Sequence, residues 1–153
     1  MTHLKMKNKV LSELPRDCKP LIIHDNDPDG LCSGIIVHRY TGGDTRRLIG
    51  RATLTNEWFE RLGVKANKIV ILDIPEVDQD FLSQHNMPVW IDHHMPLQRS
   101  NVVYVNPRNY DVNAYVPTTT MAHDFFGDEK TLWIATVGSL ADYHWPHFAD
   151  EFK

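Results

Sequence analysis

The stretch Lys68-Ile69-Val70-Ile71-Leu72-Asp73-Ile74 decides the fold class. It is apolar almost throughout and rich in β-branched side chains, as a strand is when both faces of its sheet are covered, and strands of that kind belong to parallel sheets. Upstream, KPLIIHD (residues 19–25) has the same character. Between them, residues 31–40 carry apolar side chains at helical spacing and stop at Thr41-Gly42-Gly43. TRRLIGRA (residues 45–52) reads as a strand, and residues 56–62 as a short helix with Thr55 or Asn56 as its cap and Gly63 as its stop. Downstream, residues 78–85 are helical and residues 87–91 form a strand that runs into Asp92-His93-His94. Residues 101–105 form another strand, and residues 118–126 and 129–143 are helical. Strands alternating with helices predict an α/β fold: a doubly wound, mainly parallel five-stranded sheet with helices on both faces.

The chain has 153 residues, which at roughly 150 per domain predicts one domain, residues 19–153, after an N-terminal segment of residues 1–18. Hydrophobic residues are 42% and charged residues 24%, a balance that excludes wholesale disorder. Lysine plus arginine total 16 against 20 aspartates and glutamates, a net charge of −4. That excludes a protein held to nucleic acid mainly by a basic surface. A metal-dependent enzyme stays open, because bound cations offset clustered carboxylates. Cys18 and Cys32 are too few for a disulfide framework and read as idle thiols in a reducing compartment. No apolar run approaches the ~18 residues of a membrane span. The basic N-terminus lacks the apolar core of a signal peptide. A soluble, cytoplasmic protein with no membrane partner is expected.

Four segments carry chemistry. Asp25-Asn26-Asp27-Pro28-Asp29-Gly30 closes the first strand. Its residues are turn formers, yet a turn needs no three alternating carboxylates, and crowded carboxylates repel unless a cation lies between them. An EF-hand is disfavoured, since the twelfth position from Asp25 is Ile36. Asp73 ends a buried strand, where α/β sheets place their ligands; a helix cap or a turn before Pro75 is its other reading. In Asp92-His93-His94 the two imidazoles can point apart, one to a metal and one to a substrate, with Asp92 orienting a ring through its other N–H. Asp142, in Gly138-Ser139-Leu140-Ala141-Asp142, sits on an apolar helix. Taken alone it would face solvent near the helix end.

Gathered at one sheet edge, these carboxylates and imidazoles suit Mn²⁺, with Mg²⁺ as a lesser fit. They are more than one ion needs, and two ions about 3.5–4 Å apart with Asp73 as the bridge would use them. No cysteine joins the set, which argues against a zinc ribbon or an iron–sulfur site.

In this order and spacing the four segments resemble the DHH phosphoesterase superfamily, its RecJ-like branch most of all, over residues 19–143. Asn106-Pro107-Arg108 and Pro117-Thr118-Thr119-Thr120 also look like segments that follow the DHH triplet there. The resemblance implies a two-manganese phosphoesterase in which Asp27, Asp29, Asp73, His93 and Asp142 are ligands. It implies that His94 contacts the scissile phosphate or protonates the leaving oxygen. Asp25 then lies near the first ion or positions water, and Asp92 supports a ligand from behind. Arg108 is the best phosphate donor, since Arg46, Arg47 and Arg51 read as solvated charges on the second strand. His24 reads as structural, and His3, His38, His85, His123, His144 and His147 match no motif. Trp58, Phe59, Trp90, Trp133 and Trp145 read as packing residues rather than a base-stacking track.

The expected activity is hydrolysis of single-stranded DNA or RNA, or of short oligonucleotides, by an exonuclease of RecJ-like type. Two readings stand beside it: a pyrophosphatase or cyclic-dinucleotide phosphodiesterase, and an inactive scaffold that binds replication or repair partners. The family's second domain, which closes over the site, has no counterpart before Lys153. A second subunit supplying that lid, an open site, or a fragment of a longer chain would each account for this.

Overall fold

The computed structural model describes residues 3–49 and 53–151. The chain opens with α1 (His3–Glu13), then β1 (Leu21–His24), α2 (Pro28–Thr41), β2 (Asp44–Arg47), α3 (Asn56–Arg61), β3 (Ile69–Leu72), α4 (Gln79–Gln84), β4 (Val89–Ile91) and β5 (Val103–Val105). A 3₁₀ turn (Pro107–Asn109), α5 (Thr118–Phe126), a second 3₁₀ turn (Glu129–Thr131), α6 (Leu132–Ala141) and a third 3₁₀ turn (Ala149–Glu151) follow. Among the described residues, no helix is long and apolar enough to cross a membrane.

The five strands form one sheet in the order β2-β1-β3-β4-β5, and every pairing is parallel. Side chains alternate across it. Ile22, Val70, Leu72, Val89, Ile91, Val103 and Val105 point to one face, where α1, α2, α5 and α6 cover them. Leu21, Ile23, Ile69, Ile71 and Trp90 point to the other, where α3 and α4 cover them through Phe59, Phe81 and Leu82. The doubly wound α/β architecture expected from the alternation is the one observed.

Boundaries differ where caps decide them. α2 begins at Pro28, three residues before the position expected, because Asp27 caps it: Oδ1 of Asp27 accepts from the Gly30 amide at 2.8 Å. Proline at the first helical position costs no hydrogen bond. Asp29 is therefore in the first turn of a helix rather than in an open turn. β2 stops at Arg47, and Arg51 lies outside the described residues. The last apolar segment splits into the second 3₁₀ turn and α6, so Asp142 is the residue that ends α6.

Within residues 1–18 the sequence suggested no element, yet α1 is there. Met6 and Val10 share one stripe of α1 among lysines, Leu14 follows the helix with its amide on Val10 O at 2.9 Å, and Val10 and Leu14 are fully buried in the core on that face of the sheet. Trp90 is buried and its Nε1 donates to Ile74 O at 3.0 Å, as a packing residue should, and Trp58 packs against the second face. Trp133 and Trp145 are more than half exposed, against the expectation that they pack.

Candidate metal centre

Asp25, Asp73 and Asp92 are each the first residue beyond a strand, and each still holds the sheet by its amide. Asp25 N donates to Leu72 O at 3.2 Å, Asp73 N to Ile91 O at 3.0 Å, and Asp92 N to Val105 O at 3.0 Å. The ladder thus fixes three carboxylate-bearing residues in a row along the carboxyl edge. From β1 the chain runs out to β2 and returns across it to β3, so Asp25 and Asp73 flank the point where strand order reverses. Open α/β sheets bind their ligands at that point. Asp73 takes a left-handed backbone with φ 60°, a conformation that short polar side chains tolerate better than others.

The first turn of α2 delivers Asp27 and Asp29 to the same edge. Asp29 is fully buried. Its Oδ2 accepts the Thr118 amide at 2.8 Å and its Oδ1 the Thr119 amide at 2.7 Å, while Thr119 Oγ1 donates to its carbonyl at 2.8 Å. α5 has Pro117 at its N-cap position with no side-chain cap of its own; Asp29 fills that role from α2. Two glycines make the approach feasible. A Cβ on Gly30 would lie 2.7 Å from the Asp25 carbonyl oxygen, and one on Gly138 would lie 2.6 Å from Cys32 Cβ and 2.6 Å from Thr119 Oγ1. Glycine at position 138 lets α6 close on α2 and α5, and Asp142 follows one turn later.

His93, from the loop after β4, completes the set. Its Nε2 lies 3.3 Å from Asp73 Oδ1, 3.4 Å from Asp142 Oδ2 and 3.7 Å from Asp29 Oδ2. Donor atoms bound to one ion at about 2.1 Å sit about 3.0 Å apart at right angles and about 3.4 Å apart at tetrahedral angles. A second group adjoins it: Asp25, Asp27 and Asp73 each offer an oxygen within 4.8 Å of the others. Asp73 belongs to both groups. Thr118 Oγ1 donates to its Oδ1 at 3.0 Å. Its Oδ2, with His93 Nδ1, is a buried atom without a hydrogen-bond partner among the described residues.

Burial pushes the Asp73 carboxyl well above its ordinary range, and the charges of Asp29 and Asp27 push the same way. Burial also raises Asp29, against the bonds from Thr119 that lower it, and raises Asp25. Carboxylates so placed take up protons or a cation. Asp73, His93 and His94 also offer donor atoms within 4.8 Å of one another. These carboxylates and imidazoles, with the orphaned oxygen of Asp73, fit a divalent ion.

Beside the cluster, Asp92 is fully buried and holds His94. His94 Nδ1 lies 2.7 Å from Asp92 Oδ1, and the His94 amide donates to Asp92 Oδ2 at 3.2 Å. Asn106 Nδ2 donates to the same Oδ2 at 3.1 Å and to His94 O at 3.0 Å, and Tyr104 OH reaches Oδ2 at 3.4 Å. The bond from Asp92 raises His94 above its usual pKa, with burial acting the other way. The two histidines diverge in environment: the His93 side chain is 9% exposed and that of His94 39%.

Among the described residues, Arg108 forms no ion pair with these carboxylates. Its Nε donates to Ala114 O at 3.1 Å and its Nη1 reaches Met95 Sδ at 3.3 Å, so it braces the loop after β5 against the residue following His94. His24 is buried, with Nδ1 2.7 Å from Asp25 O, and burial lowers its pKa. Two residues at the site carried no signal in the sequence. Tyr115 reaches Asp142 with its hydroxyl, and His144 stands against Tyr115 with ring centroids 6.3 Å apart. Each lies outside every spaced motif, so only the folded loops bring it there.

The family model for the DHH family, N-terminal domain, matches residues 19–141. No curated protein matches the sequence. Among solved structures, exonuclease RecJ bound to manganese is similar with a TM-score of 0.62 at 16% identity, over 93% of this chain and 43% of that one. RecJ from Thermus thermophilus in complex with Mn²⁺ is similar with a TM-score of 0.63 at 18% identity, over 93% of this chain and 24% of that one. At these identities the likeness is one of fold. The chain spans less than half the length of either RecJ chain.

Proposed function

The chain belongs to the DHH family, and we propose that it is a two-metal phosphodiesterase that hydrolyses single-stranded nucleic acid or short oligonucleotides. The observation that carries the reading is Asp73, shared by two adjoining donor groups and left with a buried, unpartnered oxygen. Asp25, Asp27 and Asp73 would hold one cation, and Asp29, Asp73, His93 and Asp142 the other. Mn²⁺ is the proposed ion, with Mg²⁺ as a substitute; the oxygen-rich set with one imidazole supports it. When bound, such a pair offsets charge on a phosphoryl group and makes a water acidic enough to attack phosphorus.

The chain's own groups do the rest. Asp92 keeps a proton on His94 Nδ1, which leaves Nε2 as the ring nitrogen available to a substrate. The raised pKa of His94 favours a proton there as well, so His94 donates to a phosphoryl or leaving oxygen. The amides of Thr118 and Thr119 fix the Asp29 carboxylate, and Thr118 Oγ1 fixes Asp73. We assign Arg108 to phosphate contact next to His94, since it is anchored through Nε and its Nη1 reaches Met95, the residue after His94.

The experiment is hydrolysis of end-labelled single-stranded DNA and RNA with Mn²⁺, with Asp142→Asn as control. Mononucleotides released by the wild type and lost in the variant are expected. Failure of the wild type to cut either strand would overturn the nucleic-acid reading, and pyrophosphate turnover would then separate a small-substrate enzyme from a scaffold.

A further inference from the structure

The structure assigns to Tyr115 the positioning of Asp142 and His93 in the candidate cation site; the assignment rests on the metal reading above. The other carboxylates of that group are each held by more than one bond. Asp29 takes two amides of α5, and Asp73 takes Thr118 Oγ1 and keeps its own amide in the sheet. Asp142 has no such support. It is the residue that ends α6, with its side chain 22% exposed, and its amide bonds only back into the last turn. Among the described residues, the one hydrogen-bond donor to its carboxylate, apart from the His93 ring, is the Tyr115 hydroxyl, 2.9 Å from Oδ2 and 2.9 Å from the Asp142 carbonyl oxygen.

A phenol has one proton, so these two acceptors share it. Sharing is what a positioning contact needs. It ties the carboxylate to its own main chain and restricts the rotamer of Asp142, while leaving lone pairs of Oδ2 for an ion. The same ring stands edge-on to His93, with centroids 5.4 Å apart at 72°. Tyr115 therefore joins a donor from the end of α6 to a donor from the loop after β4. It does so from the irregular loop ahead of α5, where no motif falls. Partners behind metal ligands typically change affinity about 10–100-fold when removed.

The test is calorimetric titration of the metal-free protein with Mn²⁺, for wild type, Tyr115→Phe, Asp142→Asn and the double variant. Tyr115→Phe keeps the ring against His93 and removes only the hydroxyl. We expect about a tenfold loss of affinity at one site, a metal-free melting temperature close to wild type, and no further loss when Tyr115→Phe is added to Asp142→Asn. Equal affinity in wild type and Tyr115→Phe overturns the assignment and leaves the metal reading intact. So does a lowered metal-free melting temperature with unchanged affinity, the mark of a merely structural tyrosine. A wild type that takes up no Mn²⁺ overturns both.

Discussion

Asp29 caps a helix that begins 89 residues further along the chain, through the Thr118 amide at 2.8 Å. A candidate metal ligand is thus also the N-cap of α5, and the helix N-terminus favours the carboxylate in its charged form. Building the site and docking α5 onto α2 are one event. We predict that Asp29→Asn, which leaves one of the two amides without an acceptor, speeds hydrogen exchange at Thr118 and Thr119 above that at the far end of α5. Unchanged protection there would separate the cap from the site.

Asp73 gives the sharpest test of cation demand. Its folded pKa is raised above 3.8. For a raised carboxyl, the folded state holds the proton more tightly than the unfolded chain, so stability falls as pH rises through 3.8 towards the folded value and the penalty is full above it. Asp73→Asn tolerates the left-handed backbone. We expect the variant to melt higher than metal-free wild type at neutral pH, to lose that advantage in acid, and to gain no stability from Mn²⁺. Thermal scans with and without Mn²⁺ across pH check all three.

Thr118→Val removes the hydroxyl that faces Asp73 Oδ1 and keeps the amide that caps Asp29. Weaker Mn²⁺ binding, by about tenfold or more, is expected with α5 still protected in hydrogen exchange. Equal affinity would show that Asp73 is fixed by its backbone alone.

His94 should titrate above 6.5, because Asp92 holds its Nδ1. A raised histidine contributes stability that is complete below 6.5 and lost as pH rises through the folded pKa. In Asp92→Asn the His94 ring resonances should titrate at lower pH, and any activity should lose its alkaline limb earlier. A His94 that titrates the same in both proteins would rule out Asp92 as its holder.

The N-terminal segment of α1 and Leu14, the residue that follows it, should be integral to stability. Leu14→Ala would leave a cavity under the sheet, where the side chain is fully buried. A loss of about 2–5 kcal/mol in denaturant unfolding is expected. A loss below about 1 kcal/mol would mean that the site collapses freely.

Much of this was legible because buried parallel strands write themselves as apolar runs, and aspartates that break such runs stand out. Asp25, Asp73 and Asp92 were visible for that reason, and the structure brings them to one edge. α1 was missed because Met6 and Val10 are diluted by Lys5, Lys7 and Lys9. Asp29 looked like a turn residue, since nothing in its neighbourhood announces that its partners are amides of a distant helix. Tyr115 and His144 left no trace, because their contacts exist only between loops. Gly138 was read as part of a spaced motif. Its physical reason, the missing room for a Cβ against Cys32 and Thr119, appears only once three helices are packed.

The cluster draws donors from residue 25 to residue 142, so it forms only after nearly the whole chain has been threaded into place. A ligand that recognises only the finished cluster, and not the folding transition state, would leave the folding rate alone and slow unfolding instead. Its benefit to the cell would be lifetime: fewer excursions to states that a protease can cut.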